Sequence, residues 1–223
     1  MTQHNSESAN STFRFYSNMF DAFGATAQGM GWGTKGLQHL RFQALTSPWT
    51  LEGKSVLDIG CGICDLYNFL KPKLISQYVG IDFVDSYYRF AKLQYRDPIF
   101  EVIKADIYSL LSFPCCDIAL ASGTFNVMDA QSEAENYQRI QLTMSRMRAA
   151  ARIGFSINFL SDATTYRDNS LFYANSETIL AIARKISRRV LLSHVEFPFE
   201  FTIHVWSEDS YDSNKSLFCD PIE

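Results

Sequence analysis

Three aspartates in this sequence each follow a short apolar run typical of a β-strand. They are Asp58, Asp82 and Asp106. The carboxyl ends of parallel strands meet at one edge of a sheet, and ligands bind in the crevice outside that edge. An acid after the second strand can accept hydrogen bonds from both hydroxyls of a ribose. The spacing of the three acids therefore predicts a ligand that contains a nucleoside.

A glycine turn follows the first of these acids and leads straight into a helical pattern. Gly60 and Gly62 permit backbone torsions that a Cβ would forbid, and they let a ligand approach the main chain. A dinucleotide fingerprint needs a third glycine and places a pyrophosphate at the helix start. Here Cys64 and Asp65 stand in that region, and the Asp65 carboxylate would repel a pyrophosphate. The turn therefore favours S-adenosylmethionine, which is cationic and carries no phosphate, over NAD or FAD.

Strand and helix patterns alternate along the chain, which is typical of an α/β fold. The link at 196–199 is too short for a parallel crossover, so the last two strands should form an antiparallel pair. We therefore predict a Rossmann-like, doubly wound, seven-stranded sheet that is mostly parallel, with a C-terminal antiparallel hairpin strand. The predicted strands are 55–59, 78–82, 100–104, 117–122, 152–159, 190–195 and 200–206, and the main helices are 85–95, 132–151 and 176–186.

The chain outside this pattern divides into three further segments. Residues 1–12 are polar and are predicted to be a disordered tail. Residues 13–50 combine aromatic helical patterns with a glycine-rich loop, and they are predicted to form an N-terminal helical lid. The ligand-binding domain then spans 51–206, and 207–223 is predicted to be an acidic C-terminal tail.

Composition narrows the function classes. The 223 residues are 47% hydrophobic, and the net charge of -4 makes a nucleic-acid substrate unlikely because phosphate binding needs a surplus of cations. No apolar run reaches the roughly 20 residues of a membrane helix, and the polar N-terminus does not resemble a signal peptide. We expect a cytoplasmic protein without a membrane partner; its oligomeric state stays open.

The cysteines could form a metal or redox site, but their placement argues against one. Cys61 and Cys64 follow the first strand, whereas Cys115 and Cys116 precede the fourth. These positions fall at opposite edges of the sheet, about 16 Å apart, which is beyond the reach of a zinc ion. We therefore expect small buried residues and no metal.

The motifs together resemble those of the class I S-adenosylmethionine-dependent methyltransferases. Val-Leu-Asp-Ile-Gly-Cys-Gly at 56–62 resembles motif I, and Val-Gly-Ile-Asp at 79–82 resembles motif II. Lys-Ala-Asp-Ile at 104–107 resembles the stretch that contacts adenine. Other segments are more loosely similar to a stand-alone bacterial branch of the family. This resemblance does not assign a substrate. The departure from the family is Cys64, where a third glycine is usual.

This resemblance implies a role for each matching residue. Asp58, Gly60 and Gly62 would hold the methionine moiety of S-adenosylmethionine, and Asp82 would bind the ribose hydroxyls. The remaining cofactor candidates are Cys61, Phe83 against the adenine, Asp106 at its amino group, Ile107, Ser122, Trp32, Gln38 and Arg41. Gln38 and Arg41 could reach the cofactor carboxylate, Arg41 through a bidentate pair, or they could lie on a solvated helix face.

The catalytic candidates are fewer. Asn126 could orient the acceptor or serve as a turn residue, and Phe125 would lie beside the transferred methyl. His39 and Tyr16 are candidate bases, although a lone histidine is more often structural. Trp32 could wall the acceptor pocket or pack within the lid.

The absence of certain motifs after the fourth strand narrows the possible classes of methyl acceptor. The segment 122–126 lacks the prolines of the Asn/Asp-Pro-Pro-aromatic motif that amino-group methylation of adenine or glutamine typically uses. A small molecule methylated at oxygen, nitrogen or sulfur by in-line displacement is the preferred prediction. A catalytically silent cofactor-binding partner protein, or an RNA or protein methyltransferase, stays open.

Overall fold

The computed structural model describes residues 16–26, 28–30, 34–128 and 132–207. Within these residues, seven strands form one sheet in the order β3-β2-β1-β4-β5-β7-β6. The strands are β1 (Ser55–Ile59), β2 (Gln77–Asp82), β3 (Phe100–Lys104), β4 (Cys116–Ala121), β5 (Ala151–Leu160), β6 (Val190–Ser193) and β7 (Glu200–Trp206).

The first five strands are parallel, and β7 lies antiparallel between β5 and β6. The predicted Rossmann-like sheet with an antiparallel C-terminal pair is thus confirmed. Most predicted strand bounds agree to within one residue, but β6 ends at Ser193, two residues early. Val195, which was expected within this strand, is 90% exposed in the turn that leads to β7.

Helices cover both faces of the sheet. Three of them begin with a side chain that caps a backbone N–H of the first turn, namely Thr34, Ser132 and Asn175. Such caps satisfy donors that have no partner within the helix. The helices are α1 (residues 16–23), α2 (Lys35–Thr46), α3 (Asp65–Leu70), α4 (Asp85–Gln94), α5 (Glu133–Ala150) and α6 (Ser176–Ile186).

Side-chain alternation along the strands divides the core in two. Leu57 and Ile59 of β1 point to the face covered by α5 and α6. Val56 of β1 points to the opposite face, where α2 and α3 pack. Both faces are buried, as expected for parallel strands covered by helices. The buried sheet therefore fixes the positions of the loops that follow the carboxyl ends of the strands.

Several predictions concern residues outside the described part of the chain. The tail at 1–12 and Trp32 lie there, as does the C-terminal tail apart from Ser207. Ser207 itself is buried, and its hydroxyl donates to the Ala151 carbonyl at 2.6 Å.

Of the four cysteines within the described residues, three are buried as expected. Cys61, Cys64 and Cys116 are buried, whereas Cys115 is exposed, contrary to prediction, in the loop just before β4. Among the described residues, no cluster of three His, Cys, Asp or Glu side chains could hold a metal ion. None of the described helices is long and apolar enough to cross a membrane.

Candidate functional site

A cleft of about 480 Å³ opens at the carboxyl edge of the parallel strands. This volume lies within the range of small-molecule and cofactor sites. The three aspartates predicted from the sequence line it together. Ten of the predicted cofactor residues lie on its wall: Gln38, Asp58, Gly60, Cys61, Gly62, Asp82, Phe83, Asp106, Ile107 and Ser122.

The turn after β1 has a backbone that requires glycine. Gly60 has a φ of 69° and Gly62 a φ of 55°, both in the left-handed region. A Cβ on Gly60 would lie 2.7 Å from Cγ2 of Thr124, whose hydroxyl is held by a 2.6 Å hydrogen bond to the Ile59 carbonyl. The turn is therefore closed on one side by the loop after β4, and the cleft lies between the two loops.

Cys64 adopts the conformation for which the family's third glycine is suited. Its φ is 63°, and it stands directly before helix α3 as the N-cap residue. A side chain in this region costs about 1–2 kcal/mol. The thiol is fully buried and lies near Cys61, on the side of Gly80 where a Cβ would stand. The departure from the family motif thus keeps the glycine-like backbone and adds a sulfur atom to the core.

Asp82 joins the glycine turn to helix α4. Its Oδ2 accepts from the Gly62 N–H at 2.8 Å, and its Oδ1 accepts from the Val84 N–H at 2.9 Å. Burial raises the pKa of Asp82 to about 6, although these backbone hydrogen bonds act in the opposite direction. A carboxylate has about four acceptor positions, and the backbone N–H groups of Gly62, Val84 and Phe83 use three of them, so one remains for a ligand hydroxyl.

Asp58 lies deeper, on the face of β1 that also carries Val56. Its Oδ2 accepts a 2.6 Å hydrogen bond from the Tyr78 hydroxyl. Its Oδ1 is buried and has no hydrogen-bond donor among the described residues. Burial raises the pKa of Asp58 to about 7, while the Tyr78 hydrogen bond lowers it and Asp82 raises it further. A buried carboxylate oxygen without a donor is costly, so this position favours a cation or a donor from a ligand.

Asp106 closes the other end of the cleft. It follows β3, and its Oδ1 accepts from the Tyr108 N–H at 2.9 Å, which orders the loop that carries Ile107. Phe83 lines the cleft between Asp82 and Val84. An acid, an aliphatic side chain and an aromatic ring therefore lie together at this end of the cleft.

The N-terminal helices form the roof of the cleft. Gln38 of α2 is buried and donates from Nε2 to Asp65 Oδ2 at 3.1 Å, which joins α2 to the start of α3. The Tyr87 hydroxyl lies 3.1 Å from the carbonyl oxygens of both Tyr16 and Gly29. Tyr16, a candidate base, lines the cleft.

The structure gives four predicted residues other surroundings. Arg41 does not line the cleft but forms a buried two-point ion pair with Glu200. Phe125 points into the core and stacks on Phe159 at 5.7 Å. These placements correct the roles predicted for Arg41 and Phe125.

Asn126 and His39 also lie off the cleft wall. The Oδ1 of Asn126 accepts from the Leu160 N–H at 3.3 Å, which ties the loop after β4 to the end of β5. This is the alternative of a turn residue. His39 is exposed, with its ring 4.9 Å from that of Phe69. The geometry thus offers neither residue a direct approach to the cleft.

Sequence reasoning missed several wall residues. Tyr87 and Arg139 follow helical patterns that predict packing or a solvated face, and nothing in their spacing indicates the cleft. Thr124 stood within the segment recognised after β4, but its contact with Gly60 depends on the neighbouring position of β1 and β4. Phe42 lies one turn after Gln38 on α2, and this spacing was the available signal.

Comparison with known proteins agrees with this geometry. A sequence profile described as a methyltransferase domain matches residues 57–140. The protein Rv1506c of Mycobacterium tuberculosis, which carries the provisional name of a methyltransferase, is 33% identical over 157 residues; the match covers 68% of this chain and 92% of that protein.

Solved structures share the fold at low identity. A Leishmania major S-adenosylmethionine-dependent methyltransferase superposes with a TM-score of 0.66 at 14% identity, covering 87% of this chain and 82% of that one. Magnesium protoporphyrin IX methyltransferase from Synechocystis, with bound S-adenosylmethionine, gives a TM-score of 0.56 at 14% identity, covering 77% and 79%.

The fold, the motifs and the relative at 33% identity define the class of protein. The chain belongs to the class I S-adenosylmethionine-dependent methyltransferases. Its cofactor is S-adenosylmethionine.

Proposed function

We propose that this protein transfers a methyl group from S-adenosylmethionine to an oxygen, nitrogen or sulfur atom of a small molecule held in the cleft. The observation that carries the proposal is the buried Asp58 Oδ1, which has no donor among the described residues and lies beside a turn of left-handed glycines. A ligand with an ammonium group supplies the missing partner. The chemistry of the donor set therefore fits this cofactor.

The residues of the cleft divide the binding among them. Asp58 receives the ammonium group, and Gly60 and Gly62 leave the main chain open to close approach. Asp82 accepts from the ribose hydroxyls through its remaining acceptor capacity. Asp106, with Ile107 and Phe83, forms the end that takes the adenine.

The rest of the wall favours an acceptor of modest size. When bound, the cofactor supplies a methyl group that is already activated for displacement, so the protein acts mainly by alignment. Aromatic and aliphatic side chains surround the space, including Tyr16, Phe42, Tyr87 and Val127. The loop after β4 carries no Pro-Pro-aromatic sequence. Both features support a small molecule over a base or a glutamine side chain.

Calorimetry with S-adenosylmethionine tests the cofactor site. Asp82→Ala should weaken binding at least tenfold, because a hydroxyl hydrogen bond to a charged acceptor is lost. Asp85→Ala is the matched control: Asp85 lies three residues later, is half-buried, pairs with Lys104 and does not line the cleft. The proposed cofactor site would be refuted if the unaltered protein did not bind S-adenosylmethionine, or if the Asp82→Ala variant bound it with equal affinity.

A methyl-release screen tests the acceptor class. The protein is incubated with S-adenosylmethionine and fractionated pools of metabolites, RNA or protein, and formation of S-adenosylhomocysteine is followed. Turnover confined to the small-molecule pools is expected. Turnover with RNA or protein would replace the acceptor class, and tight binding without turnover in any pool would favour a cofactor-binding partner protein.

A further inference from the structure

Tyr78 and Asp58 form a closed unit beneath the cofactor turn. In the parallel pairing of β1 with β2, Val56 lies opposite Tyr78 and Asp58 lies opposite Gly80. Tyr78, Gly80 and Asp58 thus share one face of the sheet. On this face the Tyr78 hydroxyl donates to Asp58 Oδ2 at 2.6 Å, and the sulfur atoms of Cys61 and Cys64 lie where a Cβ of Gly80 would stand.

The ring of Tyr78 is held in place by its surroundings. It is fully buried, stacks on Phe100 at a centroid distance of 5.5 Å and an angle of 10°, and packs against Tyr67 at 5.1 Å. A hydroxyl on so constrained a ring donates to one oxygen of the carboxylate and fixes the plane of the group. The other oxygen, Oδ1, is left without a donor among the described residues.

We infer that Tyr78 is a positioning residue for cofactor binding: it holds Asp58 as a carboxylate with Oδ1 reserved for the ligand's ammonium group. This inference rests on the proposed function and adds a residue to it. Tyr78 lies beneath Asp58 and does not line the cleft. Its effect on the ligand therefore passes through the charge and orientation of Asp58.

The groups around Asp58 make this role necessary. The titratable side chains that interact with it are Tyr78 from β2, Asp82 at the end of β2, and Cys61 from the turn. None of these is a cation, and Asp82 adds a negative charge. Burial raises the pKa of Asp58, and the Tyr78 hydrogen bond opposes that rise. Without the hydroxyl, the carboxyl would keep its proton to higher pH and would not attract an ammonium group.

The test is the pH dependence of ligand affinity. S-adenosylhomocysteine, which carries the same amino group, is titrated by calorimetry from pH 5.5 to 8.5 with the full chain. In Tyr78→Phe, the pH at which the affinity reaches half of its maximum should rise by about one unit. Binding should be roughly tenfold weaker near neutral pH and should recover at higher pH. Titration of the ligand itself is common to all variants and cancels in the comparison.

Tyr67→Phe provides the matched control. Tyr67 is equally buried in the same aromatic cluster, but its hydroxyl donates to Asp97 at 2.7 Å. It should alter stability without moving the pH profile. Asp58→Asn should bind weakly and lose the part of the pH dependence that Tyr78→Phe displaces, leaving the part due to Asp82.

The outcomes separate the two proposals. A shift in Tyr78→Phe alone supports the positioning role. Weakening by the same factor at every pH, or the same shift in Tyr67→Phe, would show that Tyr78 acts only through packing. If the unaltered protein binds neither S-adenosylmethionine nor S-adenosylhomocysteine at any pH, the proposed function itself has failed.

Discussion

Arg41 of helix α2 and Glu200 at the start of β7 form a buried ion pair across 159 residues of sequence. Nε of Arg41 donates to Glu200 Oε2 at 2.7 Å, and Nη2 donates to Oε1. The guanidinium also lies 5.3 Å from the ring centroid of Phe197. Gln38, which lines the cleft, lies one turn earlier on the same helix. The ion pair therefore fixes helix α2 to the sheet and so holds Gln38 in place above the cleft.

Breaking this pair should be far more costly than removing an exposed one. Arg41→Met leaves Glu200 as a buried charge without its cation, and we expect a loss of about 3–5 kcal/mol in the free energy of unfolding. Arg152→Met is the control, because the Arg152–Asp117 pair has an arginine that is 63% exposed and should contribute less than about 1 kcal/mol. Urea unfolding measures both variants. Similar losses in the two would contradict a special role for the buried pair.

Gly60 and Gly53 allow backbone strain to be separated from steric overlap. Both have a φ near 70°, but an added Cβ meets Thr124 at 2.7 Å at Gly60 and nothing within 4 Å at Gly53. Gly53→Ala should cost about 1 kcal/mol of stability, from strain alone. Gly60→Ala should cost about 2 kcal/mol more and should also weaken cofactor binding, because the turn and the Thr124 loop must separate. Thermal unfolding measures the stability of both variants, and calorimetry measures cofactor binding. Equal losses of stability in the two variants would show that the turn and the Thr124 loop can separate without cost.

At Cys64, the N-cap residue of α3, glycine should be more stable than alanine, which is the reverse of their order inside a helix. Its φ of 63° is strained for any residue with a Cβ. Cys64→Ala and Cys64→Gly both remove the buried sulfur, so the two variants differ only in the Cβ and in its effect on the backbone. We expect the glycine variant to be more stable by about 1 kcal/mol. A more stable alanine variant, found by denaturant unfolding, would show that the left-handed conformation relaxes in solution.

His204 should make stability fall in mild acid. Ser156 lies 2.7 Å from its Nδ1 and accepts from the Trp49 indole, and burial lowers the pKa of His204 to about 4 from 6.5. Between these values the unfolded chain binds more protons. The His204 contribution to the free energy of unfolding therefore rises by up to about 3 kcal/mol as pH increases from 4 to 6.5.

Asp58 and Asp82 act in the opposite direction. Their pKa values are raised on folding, so their contributions are present below the unfolded pKa of 3.8 and are lost as pH rises through about 7 and about 6. Comparison with His204→Gln isolates the histidine, since both carboxylates remain. A constant difference in stability between the two proteins from pH 4 to 7 would refute the burial effect.

Local patterns were sufficient for much of the fold and for the cofactor side of the site. Strand β1 was predicted at its observed bounds, because a short apolar run before a glycine turn leaves few alternatives. Asp58, Asp82 and Asp106 converge because parallel strands share one edge. The predicted bounds were less accurate at the end of β6, because the apolar Val195 lies in an exposed turn and not in the strand.

The tertiary structure decided which side chains meet. Arg41 carried the charge of a ligand-binding residue, yet its partner is Glu200, because β7 inserts between β5 and β6 and brings its first residue to helix α2. Phe125 turns into the core because Phe159 of the adjacent strand offers a ring to stack on. The contact of Tyr78 with Asp58 requires the register of β1 on β2.

The sequence by itself therefore indicated the class of protein, because the motifs that resemble those of the class I S-adenosylmethionine-dependent methyltransferases are runs of a few consecutive residues. The tertiary structure alone decided that Asp58 has one oxygen held by Tyr78 and one without a donor among the described residues. That division depends on distances between residues on different strands. It also depends on burial, which alters a carboxyl's pKa and which no local pattern contains.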